Sequence, residues 1–116
     1  MTTSNFGYAG KILRVDLSSG RIEESPTSDY ADRFLGGRGL AAKIYWDEVP
    51  PDAYALGEAN TLVFAVGPLC GLPVISSSRW TVCGKSPKNP QRFSYGSFGG
   101  MWGAELKFSG YDAVVV

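Results

Sequence analysis

Apolar and polar positions alternate from Tyr8 to Leu17 (YAGKILRVDL), with Ile12 set against Leu13, Arg14 against Val15 and Asp16 against Leu17. A period of two is the pattern of a half-buried strand. Ser18-Ser19-Gly20 breaks it, and Gly20 suits the left-handed position of a short hairpin loop. Arg21 to Glu24 resumes as a strand, so the chain is expected to open with a β-hairpin. The period then lengthens. Ser28 reads as the N-cap of a helix through Tyr30, Ala31, Phe34 and Leu35, which Gly36-Gly37 stops. After Arg38-Gly39, Leu40 to Val49 (LAAKIYWDEV) reads as a second helix, with Leu40, Ile44 and Trp46 or Asp47 near one stripe and Pro50-Pro51 at its end.

Beyond a loop carrying Pro51, Gly57 and Asn60, Thr61 to Val66 (TLVFAV) is a continuous apolar run closed by Gly67-Pro68, the mark of a strand buried on both faces. Gly67 to Ser97 is rich in Gly, Pro and Ser. It holds a strand at Arg79 to Cys83 (RWTVC) and a second around Arg92 to Tyr95. Gly99 to Phe108 (GGMWGAELKF) reads as a helix stopped by Gly110, and Tyr111 to Val116 (YDAVVV) as a final buried strand. Three valines without a polar cap lead us to expect that the natural polypeptide continues beyond residue 116. Strands and helices mix without a regular βαβ alternation, so the expected class is α+β, mixed β-sheets with a few short helices. Gly36-Gly37-Arg38-Gly39 follows a helix rather than a strand and so misses the context of a dinucleotide-binding turn.

Composition narrows the chemistry. The chain has 116 residues, 44% apolar and 19% charged, enough for one globular domain. Eleven Lys and Arg balance eleven Asp and Glu, which removes the electrostatic case for nucleic acid or an acidic membrane surface as a partner. No apolar run approaches the ~20 residues of a membrane span, and MTTSNFGYAG lacks the basic flank and apolar core of a secretory signal. The expected compartment is the cytoplasm. There is no histidine, the commonest general base and metal ligand, and no nucleophile–base pair suggests itself. The two cysteines, Cys70 and Cys83, match no zinc or iron–sulfur spacing and read as small buried apolar residues. Alone, the chain has a poor catalytic inventory.

Three segments are candidates for binding. Gly36-Gly37-Arg38-Gly39-Leu40 either approaches an anion or forms a tight helix–helix corner. Arg79, after Ser76-Ser77-Ser78 and at the head of a strand, either presents its planar fork to an oxyanion or heterocycle, or pairs with a surface carboxylate. Ser97 to Lys107 places Gly99 and Gly100 at the expected start of a helix, where unpaired N–H groups attract phosphate. The competing reading is that Gly99, Gly100 and Gly103 only bring the helix close to the sheet.

At these residues the chain resembles a known family. YAGKILRVDLSSG, FLGGRGLAAKIYWDEVPP, LVFAVGPLCG, RWTVCGKSP and GGMWGAELKFSGYDAVVV occur in this order and spacing and look like the start of the tungsten-containing aldehyde:ferredoxin oxidoreductases. The resemblance covers nearly the whole chain. It implies that residues 1–116 are an incomplete N-terminal tungstopterin-binding domain of an oxygen-sensitive enzyme that oxidises aldehydes to carboxylic acids and passes electrons to ferredoxin. It implies tungsten held by two pterin dithiolenes, a magnesium ion bridging the pterin phosphates, and a [4Fe–4S] cluster whose ligands lie outside this chain. Arg79 would contact a pterin. Ser97, Phe98, Gly99 and Gly100 would form the cofactor-holding turn, with the Ser97 backbone carbonyl on magnesium. No residue here would be catalytic, and a homodimer of the complete enzyme is compatible with the resemblance.

The chain departs from the family at this turn, where many members read Asn-Ser-Gly-Gly and this one reads Ser97-Phe98-Gly99-Gly100. The loop Lys88 to Tyr95 is also one residue longer. These differences keep a divergent branch that reduces aromatic acyl-thioesters in view. Two further readings are a stand-alone binding or scaffold module with no redox activity and a nucleotide-binding domain built on Gly36 to Gly39.

Overall fold

The computed structural model describes residues 6–116. A hairpin opens the fold, β1 (Lys11–Asp16) against β2 (Arg21–Pro26), with Gly20 at φ +74° in the turn as its position required. Two helices follow, α1 (Ser28–Phe34) and α2 (Gly37–Glu48), then β3 (Val63–Val66), β4 (Trp80–Lys85), β5 (Phe93–Phe98), α3 (Trp102–Phe108) and β6 (Ala113–Val115). The strands make one mixed sheet in the order β2-β1-β6-β3-β4-β5. Only β1 and β6 run parallel; the other neighbours are antiparallel. The α+β expectation holds. Among the described residues no helix is long and apolar enough to cross a membrane.

Successive strand residues point to opposite faces, and the two faces differ. On one, Ile12, Val63, Ala65, Cys83, Ala113 and Val115 meet Leu40, Ala41 and Ile44 of α2 in a single buried cluster, with Tyr30 of α1 packed against it. On the other, Phe64 and Trp80 meet Trp102 of α3. The apolar run around β3 thus serves two layers.

Several boundaries shift from the sequence reading. Ser28 is the first residue of α1 and Thr27 holds the N-cap position, without a side-chain cap. The Thr27 hydroxyl donates instead to Asp112 Oδ2 at 2.7 Å, a tertiary contact that outcompetes the local one. Helix α1 ends at Phe34, and Leu35 separates it from the glycine pair. Leu35 takes φ +60°, ψ −71°, and Gly36 N donates to Phe34 O at 2.7 Å across this tight turn. Helix α2 starts at Gly37 rather than Leu40. Its buried stripe is Leu40, Ala41 and Ile44, while Trp46 is 79% exposed and Asp47 pairs with Lys43 on the outer face. Strand β5 runs on through Ser97 and Phe98, and α3 begins only at Trp102, three residues after Gly99.

Candidate functional site

The site is built where β4 and β5 run together. Their register ends at Trp80↔Phe98, so Arg79 and Gly99 stand one residue beyond the last pair on their respective strands. Sequence-distant candidates are thereby brought to one corner of the sheet. Arg79, Ser97, Phe98, Gly99 and Gly100 are all exposed there. Strand β5 is an edge strand, which leaves alternate backbone groups without a ladder partner.

Local chemistry shapes this corner. Gly100 has φ +80°, a conformation that glycine adopts freely. A Cβ added at Gly99 or Gly100 would meet nothing within 4 Å, so these glycines are not packing residues. Gly103 is: a Cβ there would sit 3.1 Å from Cys70 Sγ and from Ser78 O. The two readings of the glycine-rich segment therefore divide by position, with open space at 99–100 and close packing at 103. The expected helix N-terminus at Gly99 is a correction: the glycines form a strand-to-helix turn, because β5 continues three residues past Tyr95 and α3 starts only at Trp102. Arg79 has no carboxylate within 4.0 Å among the described residues, so the surface-pair alternative lacks its partner.

Trp80, not a candidate in the sequence, organises the corner. Its ring lies 4.6 Å from Phe98 and 4.5 Å from Trp102, centroid to centroid, and its indole N–H donates to the Gly99 carbonyl at 3.1 Å. The period-two pattern of RWTVC put Trp80 on the face opposite Thr81 and Cys83, which was the available signal. On the α2 face, Ser97 Oγ lies 3.4 Å from Thr81 Oγ1 across the β4–β5 pair.

Elsewhere the candidates resolve as structure. At Gly36 a Cβ would lie 3.0 Å from Gly67 Cα and 3.1 Å from Val66 O, and at Gly39 it would lie 2.6 Å from Phe34 O. These glycines allow α2 to abut the end of β3 and the preceding turn, which is the helix-corner reading. Arg38 is stacked 4.5 Å above the Tyr95 ring. Cys70 and Cys83 are free and buried. Burial pushes the Cys83 thiol up to about 11, with Arg38 opposing, and raises Cys70 as well. No group of three or more His, Cys, Asp or Glu side chains among the described residues is placed to hold a metal ion. What this corner offers a ligand is backbone amides and carbonyls, one guanidinium and an aromatic wall.

Comparison with known proteins shows the family. Residues 12–116 match the family described as aldehyde ferredoxin oxidoreductase, N-terminal domain. The tungsten-containing aldehyde ferredoxin oxidoreductase of Pyrococcus horikoshii is 42% identical over 112 residues, and that of Pyrococcus furiosus 40%, each aligned over 96% of this chain. A WOR-like subunit of an aliphatic sulfonate oxidoreductase from Pyrococcus furiosus is 34% identical. The solved active-site complex BamBC of benzoyl-coenzyme A reductase, with bound 1,5-dienoyl-CoA, superposes with a TM-score of 0.89 at 39% identity, covering 95% of this chain and 17% of that one. The chain belongs to the aldehyde ferredoxin oxidoreductase family, as part of its N-terminal domain. It spans 18% of the length of the curated relatives it matches.

Proposed function

We propose that this chain is the cofactor-holding N-terminal part of a cytoplasmic tungsten–pterin oxidoreductase that oxidises aldehydes to carboxylic acids with a ferredoxin-type acceptor. The observation that carries the reading is the unfilled space over Gly99 and Gly100, next to Arg79, at an exposed corner of the sheet. That open surface leaves room for a bulky phosphorylated heterocycle. Two residues without side chains let it reach the backbone, and a guanidinium free of carboxylate partners supplies positive charge. Arg79 would contact a pterin, Phe98, Gly99 and Gly100 would line its phosphate end, and the Ser97 carbonyl would meet magnesium. When bound, a tungstopterin supplies two-electron redox chemistry at the metal, and the protein's share is binding and orientation. Among the described residues no cluster of His, Cys, Asp or Glu is placed to hold a metal ion, so their hold on tungsten would pass through the pterin. The [4Fe–4S] cluster would need ligands from elsewhere in a complete enzyme.

A second reading is favoured by the benzoyl-coenzyme A reductase likeness, at 39% identity against 42% for the aldehyde enzyme. In it the same corner serves a reductase of aromatic acyl-thioesters. The changed turn, Ser97-Phe98 in place of the asparagine and serine common in the family, is compatible with such a branch.

The test is the full-length protein prepared under anaerobic conditions with tungstate supplied. Metal and pterin content are measured, followed by viologen reduction with an aldehyde and, separately, viologen oxidation with an aromatic acyl-thioester. Gly99→Val should fold normally, because nothing stands within 4 Å of its Cβ, and should lose most of the pterin. A protein that carries no tungsten or molybdenum, or a Gly99→Val variant that keeps full pterin content, overturns the cofactor-holding role.

A further inference from the structure

We propose that Trp80 is a positioning residue that aims the Gly99–Gly100 peptide at the bound cofactor. This rests on the cofactor-holding reading and adds a residue that acts through another. The chain of contacts is short. The Trp80 indole is clamped between the Phe98 ring on β5 and the Trp102 ring on α3, at 4.6 Å and 4.5 Å. A ring held from both sides can direct its single N–H, and that N–H is donated to the Gly99 carbonyl at 3.1 Å.

The consequence lies in the peptide plane. A trans peptide is flat, and its C=O and N–H point in opposite directions. Fixing the Gly99 carbonyl on the indole therefore turns the Gly100 N–H away from Trp80. Gly100 N has no hydrogen-bond partner among the described residues, and the space around the residue is open. At φ +80° and without a side chain, this stretch has wide conformational freedom. Nothing else in the turn holds that carbonyl, and without the indole the peptide plane is free to rotate. Trp80 thus converts a loose glycine pair into an oriented donor, and Arg79, the residue before it, shares the same strand end.

A purely structural tryptophan would give the same stack, so the test separates stacking from the hydrogen bond. In full-length protein, Trp80→Phe keeps a ring between Phe98 and Trp102 but removes the donor. Trp102→Phe alters the same stack and removes no bond to the turn. Three quantities are measured: thermal midpoint, the NMR order parameter of the Gly100 amide in the pterin-free protein, and pterin retained per chain after gel filtration, read as fluorescence of the oxidised pterin. Both variants should melt within a few degrees of each other. Trp80→Phe alone should lower the Gly100 order parameter and reduce pterin retention by about fivefold, the usual weight of one hydrogen bond. Equal retention in the two variants, or retention in Trp80→Phe equal to the unsubstituted protein, overturns the assignment. If Trp80→Phe does not fold, Trp80→Met fills the gap without a donor and carries the same expectation. An unsubstituted protein that carries no pterin defeats the cofactor-holding reading first, and the role of Trp80 with it. That outcome differs from any in which only the variants change.

Discussion

Lys107 Nζ stands 2.7 Å from Asp112 Oδ1, and the two side chains are 12% and 1% exposed. Asp112 lies between α3 and β6 and accepts four hydrogen-bonding groups: Lys107, the Thr27 hydroxyl, and the backbone N–H groups of Ala9 and Gly10. Lys107 also donates to the Gly7 carbonyl at 2.8 Å. One carboxylate therefore ties the segment before β1, the entry to α1 and the exit from α3 to a single point.

This pair predicts acid sensitivity. Burial alone would raise the Asp112 carboxyl, but the hydrogen bonds from Lys107, Ala9, Thr27 and Gly10 outweigh it and hold it below its ordinary value. A carboxylate depressed in the folded state stabilises the fold above its unfolded-state pKa, and the contribution fades as pH falls through the folded value. Urea unfolding should show stability dropping below about pH 5. Asp112→Asn should lose about 3 kcal/mol or more at pH 7, because it leaves Lys107 buried without its partner. The variant should also show a flatter profile in acid. An unchanged slope would mean that other carboxylates govern it.

Ile44 is fully buried between α2 and the sheet. Ile44→Ala should cost about 2–5 kcal/mol by denaturant titration. Trp46→Ala, two residues on and 79% exposed, should cost under about 1 kcal/mol, as exposed substitutions usually do. Similar losses from both would mean that α2 is rotated from its described orientation.

Gly36→Ala should destabilise by about 1–3 kcal/mol, since its Cβ would press on the Gly67 backbone. Any effect on pterin content should follow from that loss of fold. Recovery of pterin binding at low temperature, measured alongside the thermal midpoint, checks this. Pterin loss in a fully folded Gly36→Ala variant would reassign the segment to binding.

Thiol reactivity offers a fourth check. With Cys83 pushed up to about 11, almost none of it is thiolate at pH 8, and the thiolate is the reactive form; burial raises Cys70 as well. Iodoacetamide should label neither cysteine in the folded protein and both in denaturant, read by mass spectrometry. Rapid labelling of native Cys83 would contradict its burial against Leu40 and Ile44.

Much of this architecture was legible because its cause is local. The hairpin turned at Gly20, the β3 run VFAV and the β6 run AVV follow from period and turn chemistry. What sequence pattern could not deliver was decided by partners far along the chain. Thr27 has the right chemistry for a cap, yet its hydroxyl is taken by Asp112, 85 residues away. The sequence reads Gly99 to Phe108 as one helix, whereas pairing with β4 carries β5 through Phe98 and delays α3 to Trp102. In the site, Arg79 and Gly99 were named from the sequence. Their meeting at one corner depends on the β4–β5 register, and Trp80 became visible only through its contacts. Periodicity reports which face a residue occupies, and it says nothing about what stands opposite.

Strand β6 sits inside the sheet, between β1 and β3. Among the described strands it comes last in chain order and is the one that joins the opening hairpin to the rest of the sheet. As the chain leaves the ribosome, residues 11–26 therefore wait about a hundred positions for the strand that docks them. Closing so long a loop is slow. The exposed flank of β1 is open to mispairing throughout that interval, so assembly of this domain should gain from a chaperone that shields nascent edges.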